Sequence, residues 1–170
     1  MAIPKFATVE NGEVVLKDVG VNASAGAADA DKAVVTGADG KVDLTLLPDG
    51  IGDDAVLYPA SENLSAGNLV NVWDDAGTFK VRKADATTNG KPCHGFVKGA
   101  ATSGTQVKVF FDGSITGVSG VTAGDLFLST TAGGFTATPP ATTGNIVQKI
   151  GFGMNATTIS FEAGMTVKLA

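Results

Sequence analysis

The chain has 170 residues, a net charge of −5, 44 % hydrophobic residues, 23 Gly and one Cys, which suggests one domain or one domain with an appendage. The single cysteine excludes an internal disulfide framework, and the acidic balance without a basic patch argues against a nucleic-acid partner. Neither a secretory signal nor a run of 18 apolar residues is visible, so we expect no membrane span and synthesis in a reducing cytoplasm.

The first 55 residues hold ten Asp or Glu and four Lys, a net charge of −6. Asn11-Gly12 lies between two short apolar runs and predicts a tight hairpin, because both residues tolerate positive φ. Residues 21–33 are rich in Ala and indicate a linker with at most a short helix. Residues 34–47 predict a second hairpin with its turn at Asp39-Gly40. Because this region lacks a core of its own, we predict that residues 1–55 form an extended arm that becomes ordered on a partner.

The apolar side chains of this arm are the candidate docking residues. They could cover the β domain of their own chain, or they could dock on another protein by strand addition, in which main-chain hydrogen bonds supply affinity. The low local density of apolar residues favours docking on another protein. The six candidates are Phe6, Val14, Leu16, Leu44, Leu46 and Leu47.

Residues 56–170 have a different sequence pattern, in which short runs rich in Val, Ile, Phe and Thr recur between Gly, Asn and Pro. Strands at this spacing predict an all-β fold, either a compact β-sandwich or a barrel. The predicted strands are 56–59, 69–73, 78–83, 95–99, 106–112, 125–129, 134–138, 146–152, 157–161 and 165–169.

Two parts of this β domain repeat one another. SAGNLVNVWDDAGTF at 65–79 is echoed by TAGDLFLSTTAGGF at 122–135, and the segment at 95–113 is echoed by 151–164. The common offset of 56 or 57 residues predicts a tandem duplication that covers about 65–113 and 122–164. Each copy contains an Ala-Gly-Asn/Asp-Leu element, in which Gly would supply a turn and Asn68 or Asp125 would bond nearby amides.

No residue pattern predicts catalysis, a cofactor or a metal site. Cys93-His94 is the one place where a nucleophile stands beside a base, but adjacent strand residues point to opposite faces. One Cys and one His also supply too few ligands for zinc. The acidic pairs Asp29/Asp31, Asp53/Asp54 and Asp74/Asp75 do not fit the EF-hand loop and are interpreted as solvated turn carboxylates.

Two segments of the amino-acid sequence also resemble a known class of proteins. SAGAADADKAVVTGADGKVDLTLLPDGIG, residues 24–52, resembles a segment of structural proteins of tailed bacteriophages. GDLFLSTTAGGFTATPPATTGNIVQKIGFGMNATTISFEAG, residues 124–164, resembles the capsid decoration, or cement, proteins of these phages. The resemblance implies a non-enzymatic virion protein on the outside of the head, bound to the major capsid protein and commonly a homotrimer.

The residues alone agree with this expectation in two respects. An acidic exterior protein avoids the packaged genome, and an arm followed by a compact β domain suits a clamp across capsid subunits. A tail-fibre or receptor-binding protein remains the alternative, because Gly-rich β sequences of this kind also occur in fibres. The copy number per virion separates the two.

Overall fold

The computed structural model describes residues 5–18, 20–30, 32–43, 46–47, 54–87 and 90–170. The chain divides into two compact units, Met1–Gly52 and Asp53–Ala170. This division lies close to the boundary expected after residue 55, while the role of the first unit as a docking arm stays a prediction. The described residues form three antiparallel sheets, one short parallel pair of strands and one short 3₁₀ segment, so the predicted all-β class is confirmed.

The first unit begins with a two-stranded hairpin. Strand β1 (Lys5–Glu10) pairs antiparallel with β2 (Glu13–Asp18). Asn11 and Gly12 both take positive φ, at 51° and 83°. Two consecutive residues of this kind are typical of the type I′ turn, whose twist matches that of the strands. The hairpin predicted from Asn11-Gly12 is therefore confirmed.

The rest of the first unit departs from the prediction. Strand β3 (Gly20–Val21) pairs in parallel with β4 (Ala33–Val34), and a 3₁₀ helix at Gly26–Asp29 lies in the connection. The Asp39-Gly40 turn does form, with Gly37 N–H donating to Lys41 O at 2.8 Å. The second hairpin predicted over 34–47 is nevertheless wrong within the described residues, because Val34 pairs with Val21 instead of with the residues after the turn.

The second unit contains two sheets, and each is built from consecutive strands. The first sheet consists of β5 (Ala55–Pro59), β6 (Leu69–Asp75), β7 (Thr78–Lys83), β8 (Gly95–Val97) and β9 (Gln106–Phe110), in the spatial order β5-β9-β8-β6-β7. Ala60, directly after β5, bridges in parallel to Val81 of β7. The first sheet therefore curls until its two edges meet.

The second sheet repeats this order. It consists of β10 (Asp112–Thr116), β11 (Gly124–Leu128), β12 (Phe135–Thr136), β13 (Ile146–Asn155) and β14 (Thr158–Glu162), in the order β10-β14-β13-β11-β12. A short β15 (Thr166–Lys168) pairs with the beginning of β13. In both sheets the first strand is followed in space by the fifth, fourth, second and third.

This shared order is what a tandem duplication would produce. Gly67 and Gly124, in the repeated Ala-Gly elements, both have positive φ, at 83° and 107°. Leu69 and Leu126, two residues later, are both fully buried. The agreement has limits, because Asn68 Oδ1 accepts the Ser65 N–H whereas Asp125 pairs with a lysine. The duplication remains an inference, and the strand order is its main support.

The core lies in two places. Leu69, Phe96 and Phe110 of the first sheet pack with residues of the second sheet such as Ile150 and Phe161. Their immediate neighbours, including Val70, Val97 and Val109, belong to a separate cluster enclosed by the curled first sheet. Since successive strand residues face opposite sides, the first sheet buries both of its faces. The second unit is thus a compact β-sandwich, one sheet of which also encloses its own small core.

Candidate docking surface

Cys93 and His94 do not act on each other. The Cys93 thiol is buried and donates to Gly95 O at 3.4 Å, and burial raises its pKa to about 12. A thiol with this pKa stays protonated near neutral pH and is a poor nucleophile. His94 Nδ1 instead accepts the Val72 N–H at 3.1 Å.

We expect the stability of the second unit to depend on pH through His94. Partial burial lowers the pKa of His94, and Nδ1 must carry no proton in order to accept the Val72 bond. Because the folded pKa lies below the unfolded value of about 6.5, the stabilisation is complete above that value and is lost as the pH falls toward the folded pKa. We expect the urea midpoint to fall between about pH 7.5 and 5.5.

A His94→Asn variant keeps an acceptor near the position of Nδ1 but does not titrate in this range. We expect a flatter urea midpoint across the same pH values, measured by circular dichroism. An equal slope in both proteins would show that His94 is not the titrating group.

Three of the described acidic residues, Asp29, Asp74 and Asp75, take part in a turn or an ion pair. Asp74 accepts the Gly77 N–H at 2.8 Å, and Asp75 pairs with Lys80 at 2.6 Å. The pKa of Asp29 is lowered, first by its hydrogen bond from Lys32. Asp31 and Asp53 lie outside the described residues.

Within the described ranges no group of three or more His, Cys, Asp or Glu is placed to hold a metal ion. In the same ranges no helix is long and apolar enough to cross a membrane.

The hairpin β1–β2 carries an uncovered apolar face. The register places Val9 opposite Val14 and Ala7 opposite Leu16, and these four residues share one side of the hairpin. Val9, Val14 and Leu16 are 72 %, 73 % and 68 % exposed. We call these four residues the hairpin face. A two-stranded hairpin is marginally stable alone, so a cover on this face would stabilise it.

The first unit also contains an apolar cleft of about 380 Å³. Val21, Val34, Leu46 and Leu47 contribute its apolar lining, and the Asp29–Lys32 ion pair, with an N–O distance of 2.7 Å, lies at its border. Gly20 and Val21 are the buried residues of this unit within the described ranges. Most apolar side chains that the structure describes in this unit are thus exposed.

The structure sorts the six candidate docking residues into three groups. Val14 and Leu16 lie together on the hairpin face, and Leu46 and Leu47 line the cleft. Leu44 and the side chain of Phe6 lie outside the described residues. The sequence reading missed Val9 and Val34, although strict alternation across the Asn11-Gly12 turn would have found Val9 opposite Val14.

The charge of this unit restricts what it can bind. Residues 1–52 hold eight Asp or Glu and four Lys, a net charge of −4. An interface gains in association rate and specificity when its potential complements that of its partner. The hairpin face and the cleft therefore suit a protein surface that is apolar at its centre and basic at its rim.

Comparisons with known proteins do not place the chain in a family. No protein-family model matches it, and no curated protein matches it.

Proposed function

We propose that this chain is a structural protein of a tailed-bacteriophage virion, which binds the outer surface of the capsid and stabilises it. The observation that carries the proposal is the hairpin face, in a unit whose described apolar side chains are mostly exposed. The resemblance of residues 24–52 and 124–164 to phage structural and decoration proteins supports the same conclusion. The partner is the major capsid protein, and the assembled protein is a homotrimer on the head, made in the host cytoplasm.

Burial of the hairpin face would supply the favourable free energy of docking. Covering a Val or Leu side chain contributes about 1.5–3 kcal/mol, so three such residues supply a gross gain of several kcal/mol. Ordering the arm offsets part of this gain. Copies joined in one oligomer bind with higher avidity than a single arm, and a modest net gain per copy is then sufficient to reinforce a shell.

A Val14→Asp variant tests the docking role. A carboxylate buried in an apolar contact costs several kcal/mol, and we expect co-sedimentation with heads assembled without this chain to weaken by about a hundredfold. The matched control is Val56→Asp, since Val56 is an exposed valine of the second unit and should leave binding unchanged. Wild-type binding by the Val14→Asp variant would refute the role of the hairpin face.

The alternative function is that of a tail fibre or receptor-binding protein. The observation that favours it is the scarcity of charge in the second half of the β domain, where only Asp125, Lys149, Glu162 and Lys168 are charged after Gly113. Quantifying the protein in purified virions separates the two. Hundreds of copies per particle agree with a capsid protein, whereas a few dozen or fewer agree with a fibre.

A further inference from the structure

The second sheet has an outer face, turned away from the sandwich core, that exposes apolar side chains. Phe152, Met154 and Val167 are 47 %, 58 % and 55 % exposed. We define the outer face by Asp125, Phe127, Lys149, Phe152, Met154 and Val167. Exposed apolar groups that cluster on one side of a sheet mark an interaction surface more often than isolated ones do.

The strand register places Asp125, Phe127, Lys149, Phe152 and Val167 on one side, and Met154 follows Phe152 by two residues, at a bulge. Asp125 of β11 lies opposite Phe152 of β13, and Phe127 lies opposite Lys149. Val167 pairs with Val147, which is two residues before Lys149 and therefore on the same side. Gln148, between them, points the other way and bonds to Cys93 in the interior.

An ion pair lies among these apolar groups. Lys149 Nζ is 2.7 Å from Asp125 Oδ1, and both side chains are about half exposed, at 49 % and 57 %. An exposed pair of this kind contributes little to the stability of a single chain. Surrounded by apolar side chains and covered by a partner, the same pair would instead fix the orientation of the contact.

The charge distribution identifies the partner as a second copy of this chain. The whole chain carries −5, but residues 114–170 hold two acidic and two basic residues and are neutral. Two copies therefore repel each other least through this part of the molecule. A face with one acid beside one base can also join three copies around a threefold axis, because Asp125 of each copy can then meet Lys149 of the next.

We propose that the outer face of the second sheet is the surface through which copies of this chain associate. The proposal deepens the proposed function, which includes a homotrimer, and it locates the contact between the copies. Phe152 and Met154 supply the apolar centre of the contact, and the Asp125–Lys149 pair determines its register.

Sedimentation velocity of the full chain tests this surface without capsids. We expect the wild type to associate and a Phe152→Glu/Met154→Glu variant to be monomeric at the same concentration, with its dissociation constant raised about a hundredfold or more. A Phe79→Glu variant is the control, since Phe79 is 64 % exposed on β7 of the first sheet, and it should associate as the wild type does.

Charge exchange provides a second test that does not alter the apolar centre. Asp125→Lys should weaken association, and the Asp125→Lys/Lys149→Asp double variant should restore it. A wild-type chain that stays monomeric up to about 100 μM would overturn the proposal, and so would undiminished association of either Asp125→Lys or the double-Glu variant. A monomer whose outer face is covered by residues 1–52 of its own chain would overturn it as well.

The outcomes separate this inference from the proposed function. A chain that associates but does not bind heads contradicts the capsid role alone. A monomeric chain that binds heads contradicts the self-association surface, and with it the homotrimer, but leaves the capsid role standing.

Discussion

Replacement of Gln148 by Glu should lower the unfolding free energy by about 3–5 kcal/mol at neutral pH, which is the cost of an uncompensated buried charge. Gln148 is 3 % exposed. Its Oε1 accepts the Cys93 N–H at 2.7 Å, and its Nε2 donates to Cys93 O at 2.8 Å and to Gly164 O at 3.1 Å. One side chain of β13 thus satisfies three backbone groups of two loops.

The Gln148→Glu change keeps the shape of the side chain but removes both of its donors. The carboxylate then faces two carbonyl oxygens at a position that is 3 % exposed, and Cys93 O and Gly164 O lose their donor. Burial should raise the pKa of the new carboxyl, so its neutral form can donate again at low pH. We expect the penalty to shrink as the pH falls toward the unfolded value of about 4.3.

Urea unfolding monitored by circular dichroism measures both effects. Gln106→Glu is the matched control, because Gln106 is an exposed residue at the beginning of β9 and should change stability by less than about 0.5 kcal/mol. Equal stabilities of the two variants at pH 7 would mean that the Gln148 bonds do not hold Cys93 and Gly164 in place.

Replacement of Gly151 by Ala is the second change with a large expected effect, a loss of about 3–5 kcal/mol from steric overlap and an unfavourable φ together. A Cβ on Gly151 would lie 1.9 Å from Ser160 O of the neighbouring strand β14, and φ is +135°. A backbone oxygen cannot move aside as a flexible side chain can, so β13 and β14 would have to separate.

Gly113→Ala separates the two causes. Gly113 also has a positive φ, at +107°, but a Cβ there meets nothing within 4 Å. We expect a loss of only about 1 kcal/mol from the backbone conformation. Thermal unfolding of both variants gives the comparison, and a similar loss in each would show that the approach of β14 does not matter.

The strands of the second unit could be predicted from the sequence because they alternate and end at turn residues. Ten predicted strands have counterparts in the described structure, from β5 to β15. Strand β10, at Asp112–Thr116, is the one described strand of this unit that was not predicted, and only Ile115 in it is buried. An edge strand with one inward apolar residue has no alternation to read, and its pairing with β14 depends on a segment more than 40 residues away.

The packing of individual side chains also could not be predicted from the repeated sequence segments. Gly95-Phe96 and Gly151-Phe152 match in sequence, yet Phe96 lies in the core and Phe152 is on the outer face. The two glycines do correspond in one respect, since a Cβ on either would clash with a backbone oxygen of the next strand, Phe110 O or Ser160 O. Which face a side chain occupies depends on the bulges in β13, and these leave no clear sequence signal.

The candidate docking residues were predictable in part. Val14 and Leu16 follow from alternation beside Asn11-Gly12, which fixes the register of the hairpin. The cleft around Leu46 and Leu47 was not predictable, because it depends on the parallel pairing of β3 with β4. In the sequence, the scarcity of charged residues after Gly113 was the only indication of the outer face of the second sheet.

The common strand order also sets the sequence in which the β domain can fold. Each ladder of the second unit, as far as the structure describes it, joins strands of the same half, and in each half the first strand pairs with the fifth. Loop closure over about 50 residues must precede the gain from that pairing, which slows folding. The first sheet can be completed once Phe110 has left the ribosome, but Leu69, Phe96 and Phe110 stay uncovered until the second sheet is made. The nascent chain therefore passes through a half-built state with an exposed apolar surface, the stage at which this protein is most prone to aggregate.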